Sequence, residues 1–263
     1  MSYLYFSHEI TTKRMPGVHA HSRHEFYYLA KGKTKYLIGD EIYTVEEGNA
    51  VFIPKGIYHM TDNGGCSSVE RYLLSFDENT FDCDTKPILD ELFSCRLISI
   101  PMNRKEGLEA MFASLERALN GEGALTEAFK KVHVLSILSY VCRHKRRYEP
   151  SVSEADKIVH DISEYVTTHY SEDISLPQLS FKFSVSESHL SRKFKDVSGV
   201  GLNEYITLVR IMNAERLLRE GGRTITEISA LCGFNDPNYF SAVFKKIKGV
   251  TPLKFSKTAE QDR

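Results

Sequence analysis

The chain has 263 residues, 34 Lys+Arg against 35 Asp+Glu for a net charge of −1, and 41% hydrophobic and 26% charged residues. That mix excludes global disorder, and no apolar run approaches the ~20 residues a bilayer span requires, so no membrane partner is expected. A neutral sum also lacks the basic footprint usual in a nucleic-acid binder, at least when the chain is taken whole.

The first eight residues carry no basic segment followed by an apolar stretch, so no secretory leader is predicted. Cys66, Cys83, Cys95, Cys142 and Cys232 are scattered, odd in number and never spaced as C-x-x-C. This argues against a disulfide framework or a zinc knuckle and for reduced thiols in a cytoplasm.

From Tyr3 to Leu97 the texture is strand-like. The runs 26–29, 36–38, 42–45, 50–53 and 71–74 are short, aromatic and β-branched, with turn signals such as Lys31-Gly32, Gly39-Asp40, Glu47-Gly48-Asn49 and Asn63-Gly64-Gly65 between them. Short strands at such regular spacing predict a sandwich or barrel. From Arg104 to Tyr148 the period becomes helical: Leu108, Met111, Phe112 and Leu115 form one stripe, and Val134, Leu135, Leu138 and Val141 another. Gly121 and Gly123 separate the two helices, which fit core cover, a dimer interface or both. The basic stretch Arg143-His144-Lys145-Arg146-Arg147 then runs into a linker beginning Glu149-Pro150-Ser151.

Beyond Ser153 the chain reads as helical throughout and contains an internal repeat. Leu190-Ser191-Arg192-Lys193-Phe194-Lys195 aligns with Phe240-Ser241-Ala242-Val243-Phe244-Lys245 at an offset of 50, continuing to Gly199-Val200 and Gly249-Val250. Upstream, Leu176-x-x-Leu179-Ser180 pairs with Ile225-x-x-Ile228-Ser229 one residue out of step. Each copy reads as a short helix, a tight turn, a second helix and a glycine stop. In the second copy Thr224-x-x-Glu227 is a capping box, Gly233 supplies the turn, and Asp236-Pro237 fit a cap and first helical position. The first copy turns on Ser184, a mild strain if the geometry is the same, and Ser186 caps the helix that follows. This is the layout of a helix-turn-helix, whose second helix enters the DNA major groove. Between the copies, Leu202 to Glu220 is an amphipathic helix of roughly 27 Å at ~1.5 Å per residue, against ~34 Å between successive major-groove faces. One rigid helix can thus hold two readers near consecutive grooves.

Local charge agrees. Residues 174–257 hold 13 Lys+Arg and 7 Asp+Glu, an excess of +6 that upstream acidic residues hide in the total. Lys193, Lys195, Lys245, Lys246 and Lys248 cluster on or beside the two reading helices.

Ile174 to Ser256, and above all Gly233-Phe234-Asn235-Asp236-Pro237-Asn238-Tyr239-Phe240-Ser241 through Gly249-Val250-Thr251-Pro252, resembles the DNA-binding domain of the AraC/XylS family of bacterial transcription regulators. With the cap residue Ser186, the resemblance puts Ser188, Ser191 and Arg192 in the first groove and Asn238, Tyr239 and Ser241 in the second. Lys195, Lys245 and Lys246 are then phosphate contacts, and Arg192 is the best base reader, for guanine. Leu190, Phe194, Phe240 and Phe244 read as core. The departures are Ala242, where the family often has Arg, Phe255-Ser256 in place of Tyr-Arg, and Ser184 in place of Gly.

A second resemblance lies upstream. His19-x-His21, Glu25 and Gly32, followed by Gly48, Pro54-x-Gly56, His59 and Asn63, is similar to the two cupin motifs, with all four metal-ligand positions filled and Lys13 where a Gly usually stands. Period-2 spacing would place His19 and His21 on one strand face, within reach of Glu25 and His59. Such a set suits Zn, Fe, Mn, Ni or Cu without choosing among them. The favoured expectation is nevertheless a metal-free effector pocket, lined by His19, His21, Glu25, Tyr36, His59 and Arg71, with Phe52 and Tyr58 as further lining residues. His8, His133, His144, His160 and His169 read as surface or cap residues.

The expected fold is α+β and multidomain: a cupin-like barrel over 1–100, a helical dimerisation or support region over 101–149, a linker over 150–155 and an all-α domain with two helix-turn-helix motifs over 156–258. The expected function is that of a non-enzymatic, sequence-specific regulator, resembling activators more than repressors, that binds double-stranded DNA and answers to a small-molecule effector such as a sugar. Its partners would be a second copy and, for an activator, RNA polymerase. No cofactor is required, a divalent metal being optional. The rival expectation is a metal-dependent cupin enzyme, a dioxygenase or isomerase, with an accessory DNA-binding domain.

Overall fold

The structure, a computed structural model, describes residues 3–12, 17–63, 68–81, 85–119, 124–148 and 154–261. Lys13, Gly64-Gly65, Cys66, Cys83, Gly121, Gly123 and Glu149-Pro150-Ser151 lie outside them. The chain forms two compact units, one built around most of residues 1–151 and the other around 152–263. Among the described residues no helix is long and apolar enough to cross a membrane.

The first unit is built on β1 (Leu4–Thr11), β2 (His24–Lys31), β3 (Lys33–Ile38), β4 (Glu41–Glu46), β5 (Asn49–Ile53), β6 (His59–Asp62), β7 (Val69–Phe76), β8 (Leu97–Ser99) and β9 (Arg146–Arg147). They form a six-stranded sheet in the order β1-β7-β2-β5-β8-β9 and a three-stranded sheet in the order β4-β3-β6. In the large sheet β2 lies antiparallel between β7 and β5, with Phe26 opposite Leu74 on one side and Phe52 on the other. The helices α1 (Lys86–Phe93), α2 (Met102–Leu119) and α3 (Ala124–His144) cover one face of this sheet.

Alternation along the strands separates two environments. Phe26, Tyr28, Phe52, Tyr72, Leu74 and Phe76 pack with Leu92, Leu108, Phe112, Leu115, Val134 and Val141 of the helices in one buried cluster. Glu25, Tyr27 and Arg71, on the alternate positions, therefore face the barrel interior. Phe52 is on the helix side, which corrects its placement as an interior residue: a sequence alternation fixes that two faces exist but not which is inside. The helices are core cover on one face, while α3 presents Leu125 (70% exposed), Phe129 (50%) and Val132 (59%) on another.

The second unit holds α4 (Glu154–His169), α5 (Leu176–Lys182), α6 (Glu187–Ser198), α7 (Leu202–Glu220), α8 (Ile225–Leu231), α9 (Pro237–Lys248) and α10 (Pro252–Gln261). The apolar stripe of α7 buries Leu202, Tyr205, Ile206, Val209, Ala214, Leu217 and Leu218, as its period predicts.

Candidate functional site

The two short helices that open the repeats start alike. Ser175 and Gln178 form a capping box at α5, and Thr224 and Glu227 form one at α8. The chain then turns on a residue of positive φ in both copies, Ser184 (φ 54°) and Gly233 (φ 77°), and Ser184 is the one such non-glycine residue among those described. Those residues are 49 positions apart, whereas the caps of the reading helices, Ser186 and Asp236, are 50 apart, so the second turn is one residue longer. This accounts for the one-residue slip within the repeat.

Gly233 is fixed by crowding as well as by its dihedral. A side-chain carbon there would lie 2.8 Å from the Tyr170 carbonyl oxygen, 2.9 Å from that of Ser171 and 3.1 Å from Arg210 Nε. Arg210 ties down the segment that carries them, donating from Nε to Tyr170 O and from Nη2 to Glu172 O, each at 2.8 Å.

The reading helices have matching caps and faces. The Ser186 hydroxyl accepts from His189 N at 3.3 Å, and Asp236 Oδ1 accepts from Asn238 N at 2.8 Å. Each helix stops at a glycine, Gly199 or Gly249. On α6 the buried Leu190 and Phe194 face the core and leave Ser188, Ser191, Arg192 and Lys195 exposed together. Arg192 Nε donates to Ser188 O at 3.2 Å, which lays the guanidinium along the exposed face. On α9 Phe240 and Phe244 are buried, while Asn238, Tyr239, Ala242, Lys245 and Lys246 are exposed and Ser241 is half-buried. His189, exposed at the point equivalent to Tyr239, was missed; the 50-residue offset carries the signal for it.

Two lysines expected beside the reading helices are used inside the domain. Lys193 Nζ lies 2.7 Å from Asp156 of α4. Lys248 pairs with Glu215 of α7, and burial holds its ammonium below the ordinary lysine range in spite of that carboxylate. The exposed cations near the reading faces are thus Arg192, Lys195, Lys245 and Lys246 rather than the whole cluster.

In the first unit Glu25 is the hub of the barrel interior. Its Oε2 lies 3.0 Å from His21 Nε2 and 3.8 Å from His59 Nε2, and its Oε1 accepts from the Tyr36 hydroxyl at 3.4 Å. His19, His21 and His59 each offer a ligand atom within 4.8 Å of the others. His19 and His21 precede β2 rather than sharing a strand, which corrects the alternation argument. Instead, Gly56 N donates to His21 O at 2.8 Å and so ties the His21 segment to the loop ahead of His59.

All three rings meet a carbonyl two residues away through Nδ1: Gly17 O at 3.2 Å, Arg23 O at 2.9 Å and Ile57 O at 2.9 Å. For His19 and His59 a proton on Nδ1 leaves Nε2 as the basic atom, as in metal-bound imidazoles, whereas His21 bonds both Arg23 O and Glu25 as an imidazolium and gives up its Nε2 proton when it acts as a ligand. The donor set therefore fits a divalent cation. The hydrogen bond to Glu25 raises the His21 pKa above 6.5 against the opposing effect of burial. Burial, reinforced by the Glu25 charge, holds the Tyr36 phenol well above its usual range. Arg71 is drawn to Glu9 (Nη2 to Oε2, 2.7 Å), not to Glu25, and its Nε is buried with no hydrogen-bond partner among the described residues.

Comparison with known proteins matches both halves. A helix-turn-helix domain family matches residues 179–258, and a cupin domain family matches residues 8–72. An uncharacterised HTH-type transcriptional regulator, YisR, of Bacillus subtilis is 24% identical over 247 residues, covering 89% of this chain and 85% of that protein. The HTH-type transcriptional activator RhaS of Escherichia fergusonii is 24% identical over 240 residues with the same coverage, 89% and 85%. Among solved structures, the C-terminal domain of AraT, a response regulator from Geobacillus stearothermophilus, is 31% identical, covering 41% of this chain and 88% of that one at a TM-score of 0.39. The curated relatives that span both halves are named as transcription regulators, not as enzymes, which sets the metalloenzyme expectation aside. The chain is thus similar over most of its length to HTH-type transcription regulators, and it carries a cupin domain ahead of its helix-turn-helix domain.

Proposed function

We propose that this regulator activates transcription in the cytoplasm by binding an operator as a homodimer, through α6 and α9 of each copy, in answer to a small molecule held in the barrel. The observation that carries this reading is the pair of reading helices with equivalent caps, buried aromatic anchors and exposed polar faces, joined through α7. Ser188, Ser191 and Arg192 read the first groove, with Ser186 capping their helix, and Asn238, Tyr239 and Ser241 read the second. Lys195, Lys245 and Lys246 contact phosphates. Domain limits follow as 1–100 for the barrel, 101–149 for the helical support and dimerisation region, 150–155 for the linker and 156–258 for the DNA-binding domain.

The exposed apolar stripe Leu125, Phe129 and Val132 of α3 supports the second copy as a partner. The effector sits against Glu25, Tyr36, Arg71 and the histidine cluster, where buried hydroxyls, a carboxylate and the Arg71 Nε donor suit a polyhydroxylated molecule such as a sugar. A divalent metal is optional; when bound it takes His19, His21, His59 and Glu25 as ligands and adds a fixed positive charge to the pocket. RNA polymerase is the further partner of an activator.

Arg192→Ala and Lys245→Ala test the reading in binding assays on specific and random DNA over a salt series. The first loses ~1–3 kcal/mol on the specific site alone; the second weakens all sequences alike and lowers the salt slope by about one. Equal losses by both variants on both DNAs would overturn the assignment.

A further inference from the structure

We infer that α9 reads an A·T step, with Ala242 packed on the 5-methyl group of a thymine and Asn238 bonded to the neighbouring adenine edge, while α6 reads through charged donors and acceptors. This rests on the reading of α6 and α9 as major-groove helices and adds the chemistry each one selects.

The equivalence of the helices is structural. Leu190 with Phe240 and Phe194 with Phe244 are buried pairs at the same helical positions, and both helices end at a glycine cap. Arg192 and Ala242 therefore occupy the same point at the centre of the exposed face, one turn beyond Ser188 and Asn238. On α6 that face carries Glu187 and Arg192. On α9 no charged side chain occurs from Pro237 to Phe244; the face is Asn238, Tyr239 and Ala242, all exposed. Its exposed cations, Lys245 and Lys246, begin only in the last turn.

The chemistry follows from the groove. An asparagine amide matches the N6 donor and N7 acceptor of adenine, a small methyl side chain matches the thymine methyl, and guanine calls for Arg or Lys. An A·T pair is the one that rewards both Asn238 and Ala242. Ala242 is thus a specificity residue in its own right and not only the loss of an arginine.

The test uses the full-length protein. Sites are enriched from a random duplex pool, and each thymine of the enriched site is replaced in turn by deoxyuridine, which lacks only the methyl group. We expect one thymine under α9 to lose roughly three- to fivefold in affinity, the worth of one buried methyl group. Ala242→Gly should abolish that sensitivity and keep the discrimination made at guanine by Arg192. Ala242→Arg, a second route if the glycine variant folds poorly, should move the preference at that position to G·C. Deoxyuridine tolerated throughout that half of the site, or an unchanged thymine sensitivity in Ala242→Gly, would overturn the inference while leaving the DNA-reading role intact. Failure to enrich any sequence would overturn both.

Discussion

The two helix-turn-helix motifs share a plan and reach it by different residues. The second turns on Gly233, where an added side-chain carbon would lie 2.8–3.1 Å from two backbone carbonyls and Arg210, and locks the end of its reading helix by the largely buried Lys248–Glu215 pair. The first turns on Ser184 at a φ of 54° and holds α6 to α4 by a more exposed pair, Lys193–Asp156. The second is therefore intolerant at its turn and its anchor, whereas the first carries an avoidable strain. The contrast shows that a duplicated motif keeps its shape while each copy settles its own local energetics.

The most damaging way to probe this difference is Gly233→Ala. A left-handed conformation costs an L-residue ~1–2 kcal/mol, and the close carbonyls add overpacking, so a loss on the order of 3 kcal/mol is expected in urea unfolding of the full chain. The same replacement at Ser184 should cost almost nothing. Next come the anchors. Lys248→Met strands Glu215, which is 16% exposed, and should cost about 2 kcal/mol, below the range for a fully buried pair. Lys193→Met should cost ~1 kcal/mol or less. Equal effects at the two lysines would erase the distinction.

Ser184→Gly runs the other way and should stabilise the domain by roughly 1 kcal/mol, a gain in melting temperature, by relieving the positive φ. The smallest expected effect concerns pH and enters on the side of the first motif, through α4. His160 is half-buried, and burial holds its pKa below 6.5 against the pull of Asp156 and Asp161. The unfolded chain therefore takes up the proton first as pH falls below 6.5, and the folded state loses stability from there down to the lowered value, with no change above it. His160→Gln should flatten that decline; a wild-type melting temperature constant between pH 7 and 5.5 would contradict it.

Much of this was legible in the sequence because its signals are local. The 50-residue repeat, the box at Thr224, the caps Ser186 and Asp236 and the strands 26–29, 36–38, 42–45, 50–53 and 71–74 all rest on neighbours in the chain. What escaped depends on distant partners. The short β8 exists by pairing with the distant β5 and β9, and β9 by pairing with β8 across 47 to 49 positions, while α1 interrupts a stretch read as strands. Lys193 and Lys248 look like DNA contacts until Asp156 and Glu215 are seen beside them. The four cupin positions were visible as a motif, but the carbonyls that orient each imidazole come from the folded loops.

Helix α7 belongs to two cores at once. Tyr205, in its first half, lies 5.2 Å from the ring of Phe194 of α6, while Ile211, Ala214, Leu217 and Leu218 of its second half join Phe240 and Phe244 of α9. Neither motif can melt without stripping one side of this helix, so the pair should unfold as a single cooperative block. Amide protons in the middle of α7 should exchange slowest in the domain, and a lesion in the second motif should lower protection in α6 although the two reading helices share no residue.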